Sequence, residues 1–103
     1  MKKLDNIEKG VVESPVSSLY WTSKKIELVE IIYALYFSGA INNGKATIKE
    51  LAEVFGRIFN VDLSKDIYRY FAEIQQRKKE ENLTKFLDFL KAVLAKKLGD
   101  KNE

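Results

Sequence analysis

Residues 47–76 read TIKELAEVFGRIFNVDLSKDIYRYFAEIQQ, and the fold turns on how this stretch is divided. Thr47 with Glu50 three positions on fits a capping box, in which a hydroxyl and a carboxylate satisfy opposite amide donors at a helix start. Ile48, Leu51, Ala52, Phe55, Ile58 and Phe59 then recur at helical spacing, which gives one buried stripe ending near Asn60. Gly56 inside that stripe permits a close contact between helices. After the short link Asn60-Val61-Asp62-Leu63, either Asp62 or Ser64 can cap another helix, expected to reach about Lys79. Two helices joined by such a turn are a helix-turn-helix candidate. Ile67, Tyr70, Phe71 and Ile74 face inward, which leaves Lys65, Tyr68, Arg69, Gln75 and Gln76 outward.

Upstream, Thr22 or Ser23 can cap a helix running to Ser38, with Gly39 as a left-handed stop. Ile26, Leu28, Val29, Ile31, Ile32, Tyr33, Leu35, Tyr36 and Phe37 leave this helix almost no polar face, so it should lie among the others as the core element. Asn42-Asn43-Gly44 supplies residues that tolerate positive φ, so the chain can reverse there as a plain connector or as a short hairpin between Ala40-Ile41 and Lys45-Ala46. Downstream, Leu83, Phe86, Leu87, Leu90, Val93, Leu94 and Leu98 suggest a fourth helix, with Thr84 as a candidate cap and Gly99 at its end. Residues 1–20 contain Gly10, Pro15 and several serines without a sustained period and read as an arm or linker. Residues 21–99 are then the domain and 100–103 a tail.

Composition agrees with a single all-α domain. The 103 residues are 46% hydrophobic and 12% aromatic, enough for a core, and one proline with five glycines argues against a turn-rich β architecture. Cysteine and histidine are absent, which removes disulfides, thiolate metal sites and imidazole-based nucleophilic catalysis. No apolar h-region follows the basic start, and Glu27 and Glu30 interrupt the longest apolar run, so neither a signal peptide nor a membrane span is expected and a cytoplasmic location is. The acidic residues are interspersed with lysines as solvated helix charges usually are, and no glycine-rich phosphate loop or calcium loop occurs. The expectation is a chain that is not an enzyme and takes no cofactor and no metal.

The net charge of +3 permits nucleic acid without requiring it. Its location is more informative: between Lys65 and Lys79, five basic residues (Lys65, Arg69, Arg77, Lys78, Lys79) face two acidic ones (Asp66, Glu73). Two readings stand, an ordinary amphipathic helix with a solvated basic end and a helix that contacts DNA. On the second, Arg69 and Gln76 can address guanine and adenine edges, while Lys65, Arg77, Lys78, Lys79 and Lys85 mostly neutralise phosphates. Tyr33, Tyr36, Phe37, Phe55, Phe59, Tyr70 and Phe71 are read as core rather than as a ligand box.

Trp21-Thr22-Ser23-Lys24 followed by Glu27-Leu28-Val29-Glu30-Ile31-Ile32-Tyr33-Ala34-Leu35 resembles the RteC regulators. Ser38-Gly39-Ala40-Ile41-Asn42-Asn43-Gly44-Lys45-Ala46, Ile48-Lys49-Glu50, Phe59-Asn60-Val61-Asp62-Leu63, Tyr68-Arg69 and Thr84-Lys85-Phe86-Leu87-Asp88 continue the resemblance in the same order, roughly from Trp21 to Leu98. The resemblance implies a winged-helix-type C-terminal DNA-binding domain of a cytoplasmic Bacteroidetes transcriptional regulator, associated with excision and transfer of tetracycline-resistance conjugative transposons. Longer members carry an additional N-terminal helical domain, so this chain is expected to be a C-terminal fragment or a short relative. One departure is Gln75-Gln76-Arg77-Lys78-Lys79-Glu80-Glu81-Asn82-Leu83, where a more strongly basic run is expected. If residues 77–84 form a wing, the two glutamates weaken its approach to phosphate.

The expected architecture is thus a trihelical helix-turn-helix core with an additional C-terminal helix, its third helix in the major groove of double-stranded DNA. A homodimer formed through the fourth helix would match two half-sites about one helical turn apart. The rival is a protein-interaction domain that uses the fourth helix or the Tyr/Phe surface.

Overall fold

The computed structural model describes residues 17–77 and 82–99, and these are all-helical. Four α-helices follow in order: α1 (Lys25–Ser38), α2 (Ile48–Phe59), α3 (Ile67–Gln75) and α4 (Lys85–Gly99), with a 3-10 turn at Asn42–Gly44 between α1 and α2. No strand occurs among the described residues, so the hairpin reading of residues 40–46 is replaced by that turn. Asn42, Asn43 and Gly44 do adopt positive φ, of 52°, 54° and 81°, as their residue types allow.

The helix ends follow local hydrogen bonding. Gly39 stops α1 at φ 72°. Neither Thr22 nor Ser23 holds the cap position, which falls to Lys24; Ser23 instead hydrogen-bonds the Glu27 carboxylate, which also accepts the Lys24 amide. The Thr47–Glu50 box is formed in both directions, at 3.0 and 2.8 Å. Asn60, left-handed at φ 55°, ends α2. Asp62 accepts the amide and hydroxyl of Ser64, at 2.9 and 2.7 Å. It therefore builds a side-chain turn ahead of α3 rather than capping it, and the cap position is Asp66. The third helix is shorter than expected, ending at Gln75, one residue past the last apolar position of its period, instead of at about Lys79.

α1 is the central element, and α2, α3 and α4 each pack against it. Leu28, Val29, Ile32 and Tyr33 of α1 meet Leu51 and Ala52 of α2, Leu63 of the link, and Ile67 and Ile74 of α3 in one buried cluster. Gly56 lets the α2–α3 link fold back on α2, since a β-carbon there would lie 2.6 Å from the Val61 carbonyl oxygen. Trp21 joins several elements: its amide donates to the Phe59 carbonyl (3.0 Å), its indole N–H to the Lys24 carbonyl (2.8 Å), and its ring meets Phe59 and Phe86 edge-on. Part of the stretch read as an arm is also tied down, because the Asn60 amide donates to the carbonyls of Ser17 and Leu19.

α4 is attached differently. None of its residues is buried; Phe86 and Leu87 in its first turn are half-buried, while Phe89, Leu90, Val93, Leu94 and Leu98 are exposed. Among the described residues, no helix is long and apolar enough to cross a membrane.

Candidate nucleic-acid interface

Lys65 stands in the turn before α3, Tyr68 and Arg69 in its first turn, Gln75 at its end and Gln76 just beyond; all five are exposed. Ile67 and Ile74 fix that orientation by facing α1 in the core, with half-buried Tyr70 and Phe71 packed against the same cluster. Their exposure agrees with the sequence reading, but their electrostatics are less basic than it suggested. The Arg69 guanidinium contacts the Asp66 carboxylate at 2.6 Å and Glu73 at 3.5 Å, and lies 4.4 Å from the centre of the Tyr70 ring. Asp66 also takes the Lys25 ammonium of α1 at 3.1 Å. Hydrogen bonds from Arg69 first and Lys25 second hold the Asp66 carboxyl below its ordinary 3.8, and Asp66 raises Arg69 in return. From Lys65 to Gln76, two cations are thus matched by two anions, and the surface of α3 carries no formal net charge.

Arg77 was expected to neutralise phosphate, and the structure turns it inward instead. Its side chain is 8% exposed and pairs at 3.1 Å with Glu30 of α1, which is 4% exposed. The second carboxylate oxygen of Glu30 accepts the Leu87 amide at 2.8 Å, and Arg77 donates to the Leu83 carbonyl at 2.8 Å. One buried carboxylate therefore satisfies both a guanidinium and an otherwise orphan amide in the first turn of α4, joining α1, the end of α3 and the start of α4. The sequence did contain a signal for this node, because Glu30 interrupts a helix with almost no polar face. Its partners, 47 and 57 positions away, are set by tertiary packing alone.

Lys78 and Lys79 lie outside the described residues, as does the middle of the 77–84 stretch considered as a wing. Lys85 opens α4 and, with Lys24, Glu27, Glu73 of α3, Phe86 and Phe89, lines an open groove of about 580 Å³. On another side of α3, Tyr33 stacks on Phe71 at 4.0 Å, and Phe71 lies 5.9 Å from Phe37. Burial foremost, with Tyr68 and Tyr36 nearby, raises the Tyr33 phenol above 10.0. Tyr36 and Phe37, read from the sequence as core, are 36% and 67% exposed, because they occupy the last turn of α1, where Phe71 is the ring that α3 sets against Phe37.

The described residues contain no group of His, Cys, Asp or Glu placed to hold a metal ion. What the fold presents is a small helical domain whose α3 exposes amide, aromatic and basic side chains on the face turned away from the core. The family model of the RteC protein matches residues 1–102, and the chain belongs to that family. No significant match is found among curated proteins or among solved structures.

Proposed function

We propose that this chain is a non-catalytic, DNA-binding transcriptional regulator of RteC type, acting in the cytoplasm on excision and transfer functions of a conjugative transposon. The observation that carries the reading is the exposed strip of Lys65, Tyr68, Arg69, Gln75 and Gln76 on a helix that a short link joins to α2, in a chain of this family. In a helix-turn-helix such a second helix enters the major groove and its outward side chains meet base edges. Lys65, beside the start of α3, supplies a phosphate contact, with Lys78, Lys79 and Lys85 as the remaining basic candidates in the sequence.

Fluorescence polarisation with labelled mixed-sequence duplex at about 50 and 200 mM salt tests this, because phosphate contacts release counterions and make affinity fall steeply with salt. Salt-sensitive binding that weakens in Lys65→Ala and in Lys78→Ala/Lys79→Ala supports the reading. Absence of binding at the lower salt overturns it.

A second reading is favoured by α4, whose Phe89, Leu90, Val93, Leu94 and Leu98 are exposed. Such a face suits a protein partner within a regulatory complex, and binding through it would change little with salt.

A further inference from the structure

The uncharged part of α3 carries information about sequence preference, given the DNA-binding reading above, on which this inference rests. Tyr68, Ala72, Gln75 and Gln76 stand at i, i+4, i+7 and i+8, so they share one strip of the helix, and all four are exposed. None bears a formal charge, and neither glutamine side chain is hydrogen-bonded to a described residue. The charged side chains Asp66, Arg69 and Glu73, at i, i+3 and i+7, run alongside that strip, with Arg69 seven residues before Gln76, and are closed by their own ion pairs.

We propose that α3 reads A·T base pairs in the major groove through Tyr68, Ala72, Gln75 and Gln76. A glutamine amide offers one donor and one acceptor, which complement adenine N7 and N6–H₂; guanine presents two acceptors, N7 and O6, and would face the amide oxygen without a donor. The Ala72 methyl and the Tyr68 ring supply apolar surface for the C5-methyl of thymine. The commonest guanine contact is a bidentate one from a guanidinium or ammonium, and the cation within α3 is already held by Asp66, Glu73 and the ring of Tyr70. Turning those charged side chains to the groove would bring two carboxylates toward phosphates, whereas turning the uncharged strip inward brings none. Lys65 contributes position rather than sequence.

The test uses the full chain and four duplexes of equal length: a randomised A·T duplex, a randomised G·C duplex, the A·T duplex with uracil for thymine, and the A·T duplex with 7-deazaadenine for adenine. Uracil removes the methyl group and 7-deazaadenine removes the N7 acceptor. Affinity is read by fluorescence polarisation at about 50 mM salt. The expected result is binding about tenfold tighter to A·T than to G·C, weakened severalfold by each analogue. Gln75→Ala/Gln76→Ala should erase the 7-deazaadenine effect and keep the salt slope, while Lys65→Ala should weaken all four duplexes alike. Equal affinity for A·T and G·C overturns the proposal and leaves the DNA reading intact, as does a G·C preference lost in Arg69→Ala. An A·T preference indifferent to both analogues also overturns it, because that pattern reports minor-groove shape. Failure to bind any duplex overturns the DNA reading itself.

Discussion

Replacing Gly56 with alanine adds one methyl group at a point where the chain has left no space for it. The new β-carbon would lie 2.6 Å from the carbonyl oxygen of Val61, a backbone atom that cannot swing aside as a side chain can. Relief requires the link after α2 to move outward by several tenths of an ångström. That link is anchored, since the Gly56 carbonyl accepts the Val61 amide at 2.9 Å and Leu63, 1% exposed, sits in the core. Overpacking of this kind costs about 1–3 kcal/mol, and a bent hydrogen bond adds about 1 kcal/mol. Against this, alanine improves helix propensity by about 1 kcal/mol. The net expectation is a loss of about 1–3 kcal/mol, a fall in Tm of at least about 4–8 °C for a domain of this size. Gly99→Ala is the matched control, because no atom lies within 4 Å of a β-carbon there, and its Tm should equal or slightly exceed that of the parent. Thermal melts by circular dichroism at 222 nm, the helix signal, measure both. A Gly56→Ala variant as stable as the parent would refute the claim that glycine is required by this close approach.

Glu30→Ala should destabilise the fold by about 3–5 kcal/mol by leaving the Arg77 guanidinium buried without its carboxylate, and the paired replacement Glu30→Met/Arg77→Met should recover much of that loss in urea titrations. Amide exchange in the first turn of α4 should speed up in Glu30→Ala more than exchange in α2; a uniform change through all four helices would count against Glu30 as the tie between α1 and α4. Thr47→Ala removes the hydroxyl that accepts the Glu50 amide and should cost about 1 kcal/mol by the same titration. Asp66 is held ionised in the folded chain by Arg69 and Lys25 to lower pH than in the unfolded chain, so the unfolded state takes up the proton first. Its contribution is present above the ordinary 3.8 and is lost as pH falls toward the lower folded value; Asp66→Asn should flatten the acid limb of a stability-against-pH curve, and an unchanged limb would contradict the assignment.

Local rules, which need only neighbours in the chain, made much of the fold legible. The Thr47–Glu50 box, the left-handed stop at Gly39, the turn-forming Asn42-Asn43-Gly44 and the apolar periods of the four helices all act within a few residues, and each is present in the structure. The end of α3 was less legible, because an apolar period says which residues would face inward and not how many turns are built. The outward placement of Lys65, Tyr68, Arg69, Gln75 and Gln76 follows from the same period, and the RteC resemblance from residues 21–98 agrees with a family match over residues 1–102.

Tertiary structure decided what those residues are free to do. In sequence, Arg77 belongs to a basic run; in space it approaches Glu30, and two buried opposite charges are better paired with each other than left exposed singly to an apolar interior. Lys25 and Asp66, 41 positions apart, meet where α1 and α3 come together, and that contact helps hold the Asp66 carboxylate against Arg69. By itself, then, the sequence determined the four helices, the Thr47 cap, the Gly39 stop and the inward faces of α2 and α3, since those depend on spacing along one segment. Only the packing of α3 and α4 on α1 could decide which charges are spent inside the molecule, because Coulomb attraction and desolvation act between groups that the chain brings together from far apart.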